Sequence, residues 1–168
     1  MQIRRLLSSD ATEYRALRLR ALHDHPEAFT SCYEEEVLKP LASSEQRLAD
    51  ASPVKFWGAI VDGKLVGTVG LDREQRLKVQ HKALVIGMYV APEYARCGIA
   101  HALLHTLLAD ARASHLELLV LTVTSGNQGA ERLYLDAGFV SWGIEPGAIK
   151  VQHQRFSKNH MFLQLAAP

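Results

Sequence analysis

"ALVIGMYVAPEYARCGIAHALLHTLLADARASHLELLVLTVT", Ala83 to Thr124, is the stretch that decides the fold. Ala83 to Val90 is almost continuously apolar, which predicts a central strand covered on both faces. Ile99, Leu103, Leu104, Leu107, Leu108 and Ala111 then recur at helical spacing, predicting a helix of about four turns with one apolar stripe. Leu116 to Thr124, rich in Leu, Val and Thr, reads as the next strand. A strand, helix, strand succession of this length makes a crossover unit, so the two strands are expected to run parallel. Between the first strand and the helix lie Arg96, Cys97, Gly98, Ile99 and Ala100. The first turn of a helix leaves about four N–H groups without partners and carries partial positive charge, a combination that suits phosphate. Gly98 and the small Ala100 would let oxygens approach the backbone. Two readings stand on these residues alone: a pyrophosphate cradle, or a turn glycine followed by an ordinary helix former. No Gly-Lys-Ser/Thr follows, and three spaced glycines are missing, which sets aside the common nucleotide loops.

Working outward, Met1 to Leu6 reads as a strand. Asp10 with Glu13 resembles a capping box that opens a helix ending near His25-Pro26. Phe29 to Pro40 has poor periodicity, and Ser43 to Asp50 looks like a short helix opened by serines. Phe56–Val61 and Leu65–Leu71 flank Asp62-Gly63, a two-residue hairpin signal. Past the crossover unit, Asn127 to Ala137 reads as a helix stopped by Gly138. Strands from Phe139 and from His160 follow around an irregular middle. The class is mixed α/β.

With 48% hydrophobic content in 168 residues and no linker or repeat, the expectation is one domain over residues 1–168. A balance of 19 Lys and Arg against 18 Asp and Glu supplies no field to recruit nucleic acid or an anionic membrane. The N-terminus "MQIRRLLSSD" has no apolar core of a signal, and no stretch approaches the ~18 apolar residues of a spanning helix. The expected location is cytoplasmic, with Cys32 and Cys97 as reduced thiols.

Two segments carry a family resemblance. "MYVAPEYARCGIAHALL" resembles the acyl-CoA-binding motif of the GNAT N-acetyltransferase superfamily, whose loop reads Gln/Arg-x-x-Gly-x-Gly/Ala. The six positions are Ala95 to Ala100; Gly98 and Ala100 match, Ala95 replaces the usual Gln or Arg, and Arg96 offers a cation beside it. "LTVTSGNQGAERLYLDAGF" is similar to the family's second half, where an Asn touches the cofactor and a Tyr seven residues on sits near its sulfur. Asn127 and Tyr134 stand at that spacing, about two helical turns apart on one side. By themselves they read as an N-cap and a core aromatic. "GIEPGAIK" and "NHMFLQL" look like the tail of a broad bacterial subgroup.

The resemblance implies a mixed, mostly antiparallel twisted sheet of about six or seven strands with about four flanking helices and a splayed central parallel pair. It implies acetyl-CoA as co-substrate, no metal, and direct acetyl transfer to a primary amine of a small molecule or protein. A homodimer is among the assemblies it suggests, and a CoA-binding sensor that has lost turnover is the competing expectation. Gly87 suits a bulge that splays the strand, turning the backbone of Met88, Tyr89 and Val90 to the cofactor, with the Val90 N–H toward the thioester carbonyl. Tyr134 is the expected acid for the departing thiolate. Glu34 and Glu35, beside Glu36, are the expected proton acceptors, with Glu145 and His160 behind them; a solvated charge run is the plain alternative. His101 and His105 share metal-like spacing without a third ligand and read as surface histidines. A Cys97 acetyl intermediate runs against the direct attack that the family implies. Trp57 and Trp142 read as core or groove-wall packing.

Overall fold

Asp62 and Gly63 take φ of 49° and 76°, the two positive values that a tight hairpin loop demands. They join β2 (Val54–Val61) to β3 (Lys64–Arg73), with Val61 opposite Lys64. Around this hairpin the computed structural model, which describes residues 1–165, builds one seven-stranded sheet. The other strands are β1 (Gln2–Arg5), β4 (Lys82–Val90), β5 (Leu118–Thr124), β6 (Val140–Val151) and β7 (Gln154–Gln164). Their order is β1-β2-β3-β4-β5-β7-β6. Among the described strands only β4 and β5 run parallel, as the crossover unit requires. The expected domain extends to Pro168, and 166–168 lie outside the described residues.

Helix α4 (Ile99–Ala113) makes that crossover. Its buried stripe of Leu103, Leu104, Leu107, Leu108 and Ala111 packs with Trp57, Ala59, Val66, Val69 and Leu71 of the sheet. Each leucine so buried contributes roughly 1.5–3 kcal/mol. On the opposite face α1 (Ala11–Asp24) and α3 (Leu41–Leu48) close over Phe56, whose ring lies 4.9 Å from that of Tyr14. The remaining helices are α2 (Tyr33–Glu36), a single turn, and α5 (Gln128–Asp136).

Several expectations are corrected. Asp10 does not cap α1: its carboxylate takes two hydrogen bonds of 2.7 Å from Arg4 and one from the Leu7 amide, so it organises the turn before the helix. The second helical stretch opens at Leu41 behind Pro40, without a serine cap. Among the described residues the four expected helices are present as α1, α3, α4 and α5, and the single turn α2 is added in the aperiodic segment. β4 is central but not covered on both faces, since Leu84 is 39% exposed. The expected irregular middle after Phe139 is instead a long β6–β7 hairpin. Pro146 hid it: the proline falls at the register shift between Glu145 and Ile149 on an edge strand, where a missing N–H is tolerated. No described helix is long and apolar enough to cross a membrane.

Candidate functional site

The parallel pair is brief. β4 and β5 are in register only from Lys82↔Leu118 to Leu84↔Val120, and beyond these residues the strands part. Gly87 marks the cause: its φ is 60°, and the β3–β4 register shifts opposite it, between Thr68 and Gly70. The Thr68 hydroxyl donates to the Gly87 carbonyl at 3.1 Å. The Phe56 ring fills the space that side chains at Gly70 and Gly87 would take, at 2.6 and 2.9 Å from their would-be Cβ atoms. Past the bulge, the Ala91 amide donates to Val66 of β3 at 2.8 Å. Successive strand residues direct their N–H groups to opposite edges, so Val90 and Met88 direct theirs into the gap beside β5.

At the mouth of this gap stands the N-terminus of α4. Arg96 and Gly98 have φ of 61° and 75°, which turns the chain sharply into the helix. The first helical bond runs from Ala102 to the Gly98 carbonyl at 3.0 Å. Among the described residues the amides from Arg96 to His101 donate to no protein acceptor. Nothing lies within 4 Å of a Cβ built on Gly98, so the approach is open. The preceding turn is anchored by Glu93, whose carboxylate takes two 2.7 Å hydrogen bonds from Arg20 and is thereby held down to about 2. A cleft of about 430 Å³ runs here, lined by Met88, Tyr89, Val90, Ala95, Arg96, Gly98, Ile99, Ala100 and Asn127. Cys97 is exposed and does not line it; its thiol faces the Ala95 carbonyl at 3.5 Å.

Where β4 and β5 diverge a second cleft of about 290 Å³ adjoins the first, and the two share Ala28, Phe29, Met88, Asn127 and Ala130 as wall residues. Asn127 caps α5: its Oδ1 accepts from the Ala130 amide at 3.1 Å. That bond fixes the amide's orientation and leaves Nδ2 as a donor toward the cleft. Tyr134 lines the second cleft, 6% exposed, with its ring edge-on to Phe139 at 5.7 Å. Burial pushes its phenol well above the usual range, so it stays protonated near neutral pH and keeps an O–H to donate.

Lys158, which the sequence reasoning did not single out, also lines the second cleft. It is 4% exposed, and its Nζ donates to the carbonyls of Glu27 and Ala28 and to Thr124 Oγ1, at 3.2, 2.9 and 2.8 Å. Burial lowers its pKa, and Glu27 opposes the shift. Thr124 Oγ1 donates in turn to the Glu27 carbonyl at 2.8 Å. These bonds pin the segment after α1, whose Ala28 and Phe29 roof both clefts. One lysine inside an otherwise ordinary strand pattern carried no signal for this.

The expected acids lie elsewhere. Glu34 and Glu35 are exposed on α2, and neither lines the two clefts. Glu36 is turned inward to Arg18 and Lys39, whose charges together hold its carboxyl low against the opposing cost of burial. His101 and His105 are exposed on α4, and the described residues hold no group of three or more candidate metal ligands. Trp57 is core, whereas Trp142 is 64% exposed on β6.

A mixed sheet split at its one parallel pair, with a helix N-terminus at the mouth of the split, is the acetyltransferase fold that the motifs imply. A model of the Acetyltransferase (GNAT) family matches residues 16–139, more than half of the chain. The chain belongs to that family. It is 29% identical over 133 residues to the L-amino acid N-acetyltransferase AaaT of Escherichia coli, covering 78% of this chain and 79% of that one. An acetyltransferase of the GNAT family from Streptococcus pneumoniae superposes with a TM-score of 0.87 at 25% identity, covering 98% and 99% of the two chains. The structure of yncA from Salmonella typhimurium with its cofactor acetyl-CoA superposes at 0.80 with 22% identity, covering 100% and 97%.

Proposed function

We propose that the protein transfers an acetyl group from acetyl-CoA to the primary amine of a small molecule, with a free amino acid as the favoured acceptor. The observation that carries this reading is the adjacency of the two clefts, which share five wall residues, with unpaired amides beside one and the Tyr134 phenol lining the other. The amides of Arg96 to His101 suit a diphosphate, and Arg96 supplies the cation that Ala95 lacks. Asn127 Nδ2 and the strand-edge groups of Met88 and Val90 suit the amide-rich arm that follows. The acceptor class rests on the kinship with the Escherichia coli L-amino acid enzyme.

Val90 N–H would donate to the thioester oxygen as charge develops there. The amine lone pair attacks the acetyl carbon, the C–N bond forms, the C–S bond breaks, and its electrons leave on sulfur. Tyr134 donates a proton to that sulfur and recovers one from the nitrogen of the adduct. Alignment in one groove supplies several kcal/mol of the barrier reduction, on the order of the ~7–11 kcal/mol available to well-oriented groups. Calorimetry with CoA and acetyl-CoA, followed by thiol release across a panel of amino acids, alkylamines and amino-terminal peptides, tests the reading. Binding plus thiol release with an amino acid supports it. Release only with peptides moves the acceptor to a protein amino group; binding without release for any amine leaves a CoA sensor, and no binding refutes the whole.

A further inference from the structure

Acetyl transfer needs a neutral amine, so some group must accept the proton of the incoming ammonium. Among the described residues no carboxylate lines the second cleft. Its two titratable residues are unsuited: Tyr134 is held protonated by burial, and all three Lys158 donors are spent on protein acceptors. Within the second cleft, then, no described side chain is free to take that proton, and its border is the next place that could supply one.

The sheet places one there. On β5, Thr122 forms part of the wall, and its cross-strand partner on β7 is His160. Directly opposed residues have Cβ atoms roughly 4.5–5.5 Å apart, so the imidazole is one side chain from the wall. His160 Nε2 lies 2.8 Å from Glu145 Oε2 across the β6–β7 hairpin. A carboxylate only accepts, so the hydrogen of this contact is on Nε2, and the neutral ring would present its lone pair at Nδ1. On the other side His160 faces Gly143, where nothing lies within 4 Å of a built Cβ, so the ground beside the ring is open. Trp142, exposed at the register shift next to Gly143, stands edge-on to the imidazole at 5.5 Å. The charged groups sharing this face are Glu145 on β6 and Lys158 two positions along β7; β5 contributes Thr122.

We propose that His160, oriented by Glu145, takes the proton of the acceptor ammonium, and that Trp142 walls the acceptor subsite. This rests on the acetyl-transfer reading. The ammonium N–H bond breaks, its electrons stay on nitrogen, the proton goes to Nδ1 and then to solvent, and the freed lone pair attacks. The second proton of nitrogen is the one that reaches sulfur through Tyr134, so one acid equivalent is released per turnover.

The experiment compares the unmodified protein with His160→Gln and Glu145→Gln across primary amines of falling basicity, at saturating acetyl-CoA. For a strongly basic alkylamine near pH 7, His160→Gln is expected to lower kcat/KM by roughly 10²–10⁴ and Glu145→Gln by less. For a weakly basic amine already neutral at that pH, the loss should shrink at least tenfold, while the KM for acetyl-CoA stays within twofold. If His160→Gln proves poorly folded, His160→Ala with imidazole in the buffer replaces it, and restored rate supports the role. An equal loss at every amine basicity, or no loss, overturns the proposal while acetyl transfer stands. Absence of thiol release by the unmodified protein with any amine overturns both.

Discussion

Gly87→Ala tests whether the split between β4 and β5 is built by the bulge. Two costs follow from the structure. Residue 87 has φ of 60°, and an alanine there takes a left-handed penalty of about 1–2 kcal/mol. Its Cβ would also stand 2.9 Å from Phe56 Cε1, closer than carbon atoms pack, and overfilling a core costs about 1–3 kcal/mol. The sum, about 2–5 kcal/mol, is a large part of the 5–15 kcal/mol that holds a typical domain. In urea, at a slope of about 2 kcal/mol per molar, the midpoint should fall by roughly 1–2.5 M. The two costs separate in a Phe56→Leu background, where the ring edge is gone: about 1–3 kcal/mol of the Gly87→Ala penalty should vanish and the backbone part persist. Because Val90 lies three residues past the bulge, the shift should also cost turnover, on the scale of the ~10²-fold loss that follows a 1 Å misplacement. Additive costs within about 0.5 kcal/mol in the two backgrounds, or a penalty under about 1 kcal/mol, would refute the reasoning.

Gly98→Ala and Gly63→Ala form a matched pair: φ is 75° and 76°, and nothing lies within 4 Å of either built Cβ. Both should cost about 1–2 kcal/mol by chemical denaturation, but only Gly98→Ala should weaken CoA in calorimetry, because its methyl enters the space before the free amides. Tyr134→Phe should reduce turnover about 10²-fold or more with CoA affinity unchanged. The same substitution has a pH signature. Burial raises the folded-state pKa of the phenol, so above about pH 10 the unfolded chain releases a proton that the folded chain keeps, and stability falls by up to about 1.4 kcal/mol per pH unit. Tyr134→Phe should remove that component of alkaline destabilisation, read from denaturation midpoints between pH 9 and 11. Lys158→Met should cost about 1–3 kcal/mol by leaving the Glu27 and Ala28 carbonyls short of a donor, and should speed amide exchange in the segment after α1. Unchanged exchange there would count against Lys158 as its anchor.

The hairpin at Asp62-Gly63, the crossover from Ala83 to Thr124 and the glycine turn into α4 are local features. Each is written in adjacent residues, so the sequence reading meets the structure there. The misses are non-local. Asp10 belongs to Arg4 and Leu7 rather than to its own helix, a choice made by the packing of β1 against the turn. The β6–β7 hairpin was obscured because Pro146 looks like a breaker until the register shift that absorbs it is known. Glu34 and Glu35 fall outside the clefts because α2 is one turn long and points those carboxylates to solvent. Glu145 and His160 were both named from the sequence, but their pairing, like the place of Lys158, depends on cross-strand register over 15 or more residues, which no local window contains.

These differences follow a physical division within the site. The half proposed to grip the carrier is made mostly of main-chain groups released from pairing: amides at the start of α4, strand edges where β4 leaves β5, and the end of the Asn127 amide that its cap leaves free. Main-chain donors are present in any sequence, so such a site is specified by where pairing fails, and pairing fails at positive-φ glycines. Gly87 and Gly98 are therefore its legible marks. The proposed acceptor half is made of side chains on an uncovered sheet face, Trp142, Glu145 and His160, where no helix constrains their identity. Substitutions there change what an acceptor meets while leaving the split, the cradle and the phenol in place. Exchanging residues of that face should thus alter acceptor preference at nearly constant CoA affinity; a parallel loss of both would show that the two halves are one mechanical unit.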